Sequence, residues 1–200
     1  MRASESWPAL PYDEWKDTYA TLHMWMQVVG KVALAQAPPI NHSWAIAMRV
    51  TPRGITTLPL PHGHRSFTME FDFLQHRLVI LTSDGDMRAL PLAPMSGAGF
   101  YREVMATLQA MSLPVKIWPV AVEVPDPIRL DEDVQHHSYV AEQANRFWRI
   151  LVQVERVFGV ALHVRRQVQP RAFLLGQPRS GHHVIFRPAG AAERRAGLHA

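Results

Sequence analysis

Three histidines with polar neighbours are the residues whose chemistry could operate near neutral pH. His23, Gln27 and Lys31 follow one another at spacings of four, so a helix would carry them on one face. Imidazole exchanges protons near neutrality and is therefore a natural acid–base group. We predict a pocket where this helix meets a sheet, with site residues His23, Gln27, Asn41, His42 and His136 and with apolar walls from Trp25 and Trp44. The spacing leaves open the alternative that His23 and His42 are hydrogen-bonded structural residues.

Three other polar groups have simpler explanations. His136 follows the acidic run Asp131–Asp133, which could bind a cation but is also typical of a solvated entry to a helix. His62 and His64 lie two residues apart, and a metal site would need a third ligand, so we predict no metal site and a solvated loop. Glu70 and Asp72 alternate with apolar residues, which is typical of the exposed face of a strand.

Motifs that would identify a reaction are missing from the sequence. The chain has no cysteine, which excludes disulfides and thiolate chemistry. It also has no Gly-x-Ser-x-Gly elbow, phosphate loop, dinucleotide-binding fingerprint or His-Glu-x-x-His helix. The sequence therefore leaves the reaction and any cofactor undetermined.

Apolar residues at helical spacing predict three helices that position these side chains. The first runs over about 13–35 and ends before Pro38 and Pro39. The second is capped by Ser96 and continues to about Met111. The third is capped by Ser138 and continues to about Phe158.

Alternation of apolar and polar residues predicts strands between these helices. The clearest alternation is Phe67–Phe73. The predicted strands are 44–50, 55–60, 67–73, 77–82, 87–92 and 115–124. We therefore predict an α+β fold: a mostly antiparallel β-sheet, arranged as a meander, with three principal helices packed on its apolar face.

Charge divides the chain near Gly159. Residues 1–159 hold 14 Lys and Arg against 16 Asp and Glu, a net charge of −2, whereas residues 160–200 hold seven Arg and one acid, a net charge of +6. We predict a single α+β domain over 1–159 and a basic, disordered or frameshifted tail over 160–200. The high pI belongs to this tail, so nucleic acid is not an expected partner. No apolar run reaches the roughly 18 residues of a membrane span.

Several separated motifs resemble one family and occur in its order. The motifs are Trp7–Thr18, Leu22-His23, Val29–Lys31, Asn41-His42, Glu70–Phe73, His76–Ile80, Val124–Ile128, His136 with Ser138-Tyr139, and Arg146–Arg149. Over about residues 7–158 the chain resembles the domain of unknown function 5996. This resemblance implies a cytosolic bacterial protein and implies no known activity.

The tail departs from that resemblance after the third helix. In the family, the third helix is followed by a segment like F-x-G-K-x-S-P-x-H-F-F-W-G. If residues 164–177 are back-translated and the DNA is read one base later, the resulting translation resembles that segment. We hypothesise a frameshift between Phe158 and Val164, and the alternative is a genuine disordered basic tail. A frameshift would remove the family's C-terminal part, and an uncovered apolar patch would then favour self-association.

Function follows from this sequence only as a class. We predict a cytosolic protein that is a small-molecule-binding domain or an enzyme of undetermined reaction, with a small molecule as partner and no membrane. The competing prediction is a non-catalytic interaction or oligomerisation module. A truncated, non-functional family member is a third alternative.

Overall fold

The computed structural model describes residues 6–39 and 41–165, and it describes the side chains of these residues except 41–43 and 160–165. Predictions about the tail beyond Arg165 lie outside the described residues. The helices are α1 (Tyr12–Gln36), a 3₁₀ helix (Asn41–Ile46), α2 (Gly97–Ala110) and α3 (Ala141–Arg165). The strands are β1 (Arg49–Val50), β2 (Gly54–Thr56), β3 (Leu60–His62), β4 (Arg65–Asp72), β5 (Arg77–Thr82) and β6 (Met87–Pro91).

The predicted α+β fold is confirmed within the described part of the chain. The strands form one open antiparallel sheet in the order β1-β2-β4-β5-β6, and β3 pairs with the other end of β4. Strand β4 is central because it pairs with β2, β3 and β5. Its apolar residues Phe67, Met69 and Phe71 are at most 1% exposed, so the alternation in the sequence marks the face that is buried.

Helix α1 runs through the middle of the core. It follows Pro11, whose carbonyl accepts from the backbone N–H of Glu14, and it ends two residues before Pro38. Trp25 is 0% exposed, and its ring stacks on Phe100 of α2 and on Tyr139. The core is therefore built from α1, α2, the N-terminal part of α3 and the apolar face of the sheet.

The strand predicted over 44–50 is wrong for most of its length. Residues Asn41–Ile46 form the 3₁₀ helix, and only Arg49–Val50 pair as β1. Ala45, Ala47 and Met48 are all buried. The burial of both Ala47 and Met48 breaks the period of two, because the 3₁₀ helix that precedes them packs against α1 instead of pairing as a strand.

The strand predicted over 115–124 is also wrong. It is an irregular segment with one isolated bridge, Val120 to Arg129. The carbonyl of Pro119 accepts from the backbone N–H of Leu130, 2.8 Å away. Proline lacks an N–H, so Pro114 and Pro119 cannot contribute regular ladder bonds on both sides of this segment.

Helix α3 begins at Ala141, three residues after the predicted cap at Ser138. The backbone N–H groups of Ser138 and Val140 donate to the hydroxyls of Thr21 and Thr18 on α1. These threonines satisfy the amides, which keeps the segment extended until Ala141. Over the residues that the structure describes, no helix is both long enough and apolar enough to cross a membrane.

Candidate functional site

A small cavity with a mostly apolar lining lies beside α1. Its lining comes from Gln27, Gly30, Lys31 and Leu34, which share one face of the helix, together with Ile46 of the 3₁₀ helix and Glu123 of the irregular segment. The cavity measures about 20 Å³. A cavity needs roughly 10–15 Å³ to hold a water molecule, so this one has room for one or two waters or for the polar end of a larger molecule.

Lys31 places a buried cation at this cavity. The residue is only 8% exposed. Its Nζ lies 5.8 Å from the centre of the Trp118 ring, a weak cation–π contact. Among the described residues no carboxylate forms an ion pair with Lys31 and no acceptor hydrogen-bonds its ammonium group. The side chain of Lys31 is therefore mostly buried, and its ammonium group has no compensating anion among these residues.

Glu123 supplies the opposite charge without neutralising Lys31. Its Oε2 is buried and accepts no hydrogen bond within the described part of the chain. It lines the same cavity as Lys31, yet no ion pair joins the two among residues 6–39 and 41–165. The cavity lining thus contains an unpaired ammonium group from Lys31 and a buried, unpaired carboxylate oxygen from Glu123.

Gln27 links the cavity to His23. Gln27 is 3% exposed, and its Nε2 lies 3.2 Å from Nε2 of His23. An amide nitrogen only donates, so this bond requires His23 Nε2 to act as an acceptor. The His23 ring stacks on Tyr19, whose pKa is raised by burial and by the neighbouring Tyr12. The predicted face of His23, Gln27 and Lys31 therefore exists, and its last two members reach the cavity.

The other predicted site residues are placed in different surroundings. Trp25 is enclosed in the core, and Trp44 is half-buried in the 3₁₀ helix. The backbone of Asn41 and His42 begins that 3₁₀ helix, but their side chains lie outside the described residues. A role for these four residues in a site stays a prediction.

His136 organises the start of α2. Its Nδ1 lies 2.8 Å from Oδ2 of Asp133, a carboxylate with 0% exposure. The carbonyls of His136 and Asp133 accept from the backbone N–H groups of Gly97 and Ala98. A Cβ on Gly97 would lie 2.5 Å from Oδ2 of Asp133, so these groups fill the N-terminal end of the helix. The hydrogen-bond partners of His136 lie at the start of α2, whereas the residues that line the cavity belong to α1, the 3₁₀ helix and the irregular segment.

Asp72 is not a solvent contact, which corrects the prediction for the polar strand face. It is 1% exposed and accepts from Nε and Nη2 of Arg53, at 3.1 and 2.7 Å. Burial alone raises the pKa of its carboxyl. The hydrogen bonds from Arg53 and from the backbone N–H groups of Gln75 and Leu74 outweigh that effect and hold the pKa below its ordinary value.

His76 and Tyr139 form a hydrogen-bonded pair that the sequence did not reveal. His76 Nδ1 lies 2.9 Å from the Tyr139 hydroxyl. Burial lowers the pKa of His76, and the Asp72 carboxylate offsets part of this decrease. Burial also raises the pKa of Tyr139. The pair joins the turn after β4 to the segment that leads into α3.

His62 and the acidic residues do not assemble into a metal site in the described part of the chain. His62 Nδ1 lies 2.9 Å from Oε1 of Gln36, which gives this imidazole a side-chain partner on α1. Within residues 6–39 and 41–165, no group of three or more His, Cys, Asp or Glu could hold a metal ion.

The open antiparallel sheet, the helices on its apolar face and the cavity beside α1 define the class, an α+β domain. The chain belongs to a family of unknown function, DUF5996, which matches residues 7–161. No curated protein matches the chain, and no solved structure matches it. The family match confirms the resemblance that the separated motifs predict.

Proposed function

We propose that this chain is a cytosolic small-molecule-binding domain whose site is the cavity beside α1. One observation supports the proposal: Lys31 and Glu123 present opposite charges to the same cavity, and neither has a partner of opposite charge in the described part of the chain. The predicted role of Gln27 in a site agrees with its position in the cavity lining.

The energetic argument rests on the cost of desolvated charge. Burying a charged group without a partner is expensive, so buried charges in proteins are normally paired or hydrogen-bonded. A purely structural site would be served by an ion pair or by apolar side chains of similar volume. A ligand that donates to Glu123 and accepts from Lys31 would satisfy both groups at once.

Binding, rather than catalysis, is the function that this cavity supports. The groups in its lining are those of recognition: an ammonium, a carboxylate and an amide. Among the described lining residues, no serine, threonine or cysteine stands beside a base as a nucleophile would.

The experiment is a thermal-shift screen of small polar metabolites against the wild type and three variants. Lys31→Met and Glu123→Gln remove the two charges, and Lys16→Met is the matched control because Lys16 is an exposed lysine on the same helix. We expect compounds that raise the Tm of the wild type and of Lys16→Met but not that of Lys31→Met. A screen in which every stabilising compound acts equally on all variants would overturn the proposal.

A second candidate function is self-association, and a specific observation favours it. Leu81 of β5 and Met87 of β6 are cross-strand partners, and they are 47% and 51% exposed. Strand β6 ends the strand order of the sheet within the described residues. The measurement that tests this candidate is the molar mass in solution as a function of protein concentration.

A further inference from the structure

We infer that the cavity receives the charged end of a small α-amino acid, with its carboxylate against Lys31 and its ammonium group against Glu123. This inference rests on the proposed function and adds the class of ligand. It starts from two groups in the cavity lining, the unpaired ammonium of Lys31 and the buried, unpaired Oε2 of Glu123. A molecule that carries only an anion or only a cation would pair with one of them and leave the other unpaired.

Charge balance favours a zwitterion over other molecules with one donor and one acceptor. Lys31 and Glu123 together contribute no net charge to the cavity. A zwitterion keeps the occupied site neutral, whereas a hydroxy acid would add one uncompensated negative charge near the buried Glu123 oxygen. An ammonium group also forms a charge-assisted hydrogen bond with the Glu123 carboxylate, which is stronger than a bond from a hydroxyl.

Cavity size and the surrounding side chains indicate how the rest of the ligand lies. A cavity of about 20 Å³ cannot enclose a whole amino acid, because this volume suits one or two water-sized groups. Leu34 is 56% exposed at the cavity, Ile46 also lines it, and Trp118 is 64% exposed above Lys31. We therefore place an apolar side chain of the ligand on the surface formed by Leu34, Ile46 and Trp118.

Four molecules with the same isobutyl group test this inference. The probes are L-leucine, 4-methylvalerate without the amino group, isoamylamine without the carboxylate, and 2-hydroxyisocaproate with a hydroxyl in place of the amine. Affinities are measured by NMR titration of the wild type, following the indole N–H signal of Trp118. We expect leucine to bind at least about tenfold more tightly than each of the other three, which corresponds to 1.4 kcal/mol or more.

Two variants assign the two ends of the ligand. In Lys31→Met the affinity for leucine should fall to that for isoamylamine, because the carboxylate loses its partner. In Glu123→Gln leucine and 2-hydroxyisocaproate should bind equally, because a neutral amide no longer distinguishes ammonium from hydroxyl. Lys16→Met should keep the wild-type order of affinities. The coupling between ligand group and residue, obtained as in a double-mutant cycle, is a readout that general destabilisation would not reproduce.

The outcomes distinguish an error in the ligand class, an amino acid, from an error in the proposed small-molecule-binding function. If 4-methylvalerate, isoamylamine or the hydroxy acid binds as tightly as leucine and its binding depends on Lys31 or Glu123, the amino-acid class is overturned and the binding function stands. If none of the four binds but the metabolite screen yields compounds that depend on Lys31, the class again falls alone. If neither experiment yields binding that depends on these residues, the cavity holds water and both proposals are overturned.

Discussion

Lys31 combines an ammonium group, 8% exposure and a single aromatic contact within the described residues. In a site built for a ligand, such a charge costs stability while the ligand is absent. Lys31→Met keeps most of the volume and removes the charge. We expect the free energy of unfolding of the ligand-free protein to rise by about 1 kcal/mol, as replacements of buried charge by apolar groups often do.

Urea denaturation of the variant measures this change, and Lys16→Met should stay within about 0.5 kcal/mol of the wild type, as exposed substitutions usually do. A loss of stability in Lys31→Met would contradict the expectation. It would mean that the contact with Trp118 outweighs the desolvation of the ammonium group and that Lys31 is structural.

Asp72 shows the opposite arrangement, a buried charge with its partners in place. Its carboxylate accepts hydrogen bonds from Arg53 and from two backbone N–H groups, and Nε of Arg77 lies 3.6 Å from Oδ2. Asp72→Asn removes the charge. Because the side chain of Arg53 is 46% exposed and water screens the pair, we expect a loss of about 2 kcal/mol, below the range for fully buried pairs.

Asp84→Asn is the matched control for Asp72→Asn, since Asp84 pairs with Arg65 and its side chain is 51% exposed. Exposed pairs contribute little to stability, so the unfolding midpoint of Asp84→Asn in urea should move much less. Equal losses in the two variants would show that the surroundings of Asp72 add nothing to an ordinary surface pair.

At the scale of elements, the turn between β4 and β5 is coupled to pH through His76. Burial lowers the pKa of His76 in the folded protein, whereas in the unfolded chain it has the ordinary value of about 6.5. The unfolded state therefore binds a proton at a higher pH than the folded state does. The stability that His76 contributes through this difference in pKa is fully present above about pH 6.5. It is lost as the pH falls from there through the lowered pKa of the folded state.

His76→Asn removes this titration and suits the backbone, because residue 76 has φ +49 and asparagine accepts that region better than most residues. We expect the free energy of unfolding to fall less steeply in the variant than in the wild type between about pH 6.5 and pH 5. Asp72, the charged neighbour, titrates below this window because its pKa is lowered. Parallel pH profiles for the two proteins would show that His76 does not cause the dependence.

Strand β2 can pair closely with β4 because Gly54 has no side chain. A Cβ at this position would lie 1.6 Å from the carbonyl oxygen of Phe71 on β4. Gly54→Ala should therefore push β2 away from its partner and cost about 3 kcal/mol or more, in the range of severe single substitutions. Gly63→Asn is the control, since Gly63 has φ +59 and open space around it. Thermal unfolding of both variants tests the difference, and a well-folded Gly54→Ala would contradict this close approach.

Much of this arrangement could be predicted from periodicity, because the sheet and helices bury one face each. Phe67, Met69 and Phe71 alternate in the sequence and are buried together, and Lys31 falls on the face shared with Gln27. Glu123 could not be placed, because it reaches the cavity from an irregular segment whose path depends on tertiary packing. The only local signal was an acid within the apolar run 115–124.

At the scale of the whole molecule, the outer face of the sheet bears on how the chain associates. Leu81 and Met87 are exposed cross-strand partners, and the neighbouring Ala89 of β6 is exposed as well. Helices cover the other face, where Leu78 and Ile80 of β5 are 0% exposed. An exposed apolar patch at the edge of a sheet favours contacts between copies, since such an edge also offers unpaired backbone groups.

We therefore expect the molar mass of the wild type, measured by sedimentation, to rise with protein concentration. Introducing charge with Leu81→Lys and Met87→Lys together should abolish this rise, because two lysines facing each other across β5 and β6 oppose a second apolar surface. Val134→Lys is the control: Val134 is 71% exposed and lies outside the sheet, so this variant should associate like the wild type. A wild type that remains a monodisperse monomer at every concentration would contradict a function as an oligomerisation module, and the cavity beside α1 would then be the remaining candidate functional site.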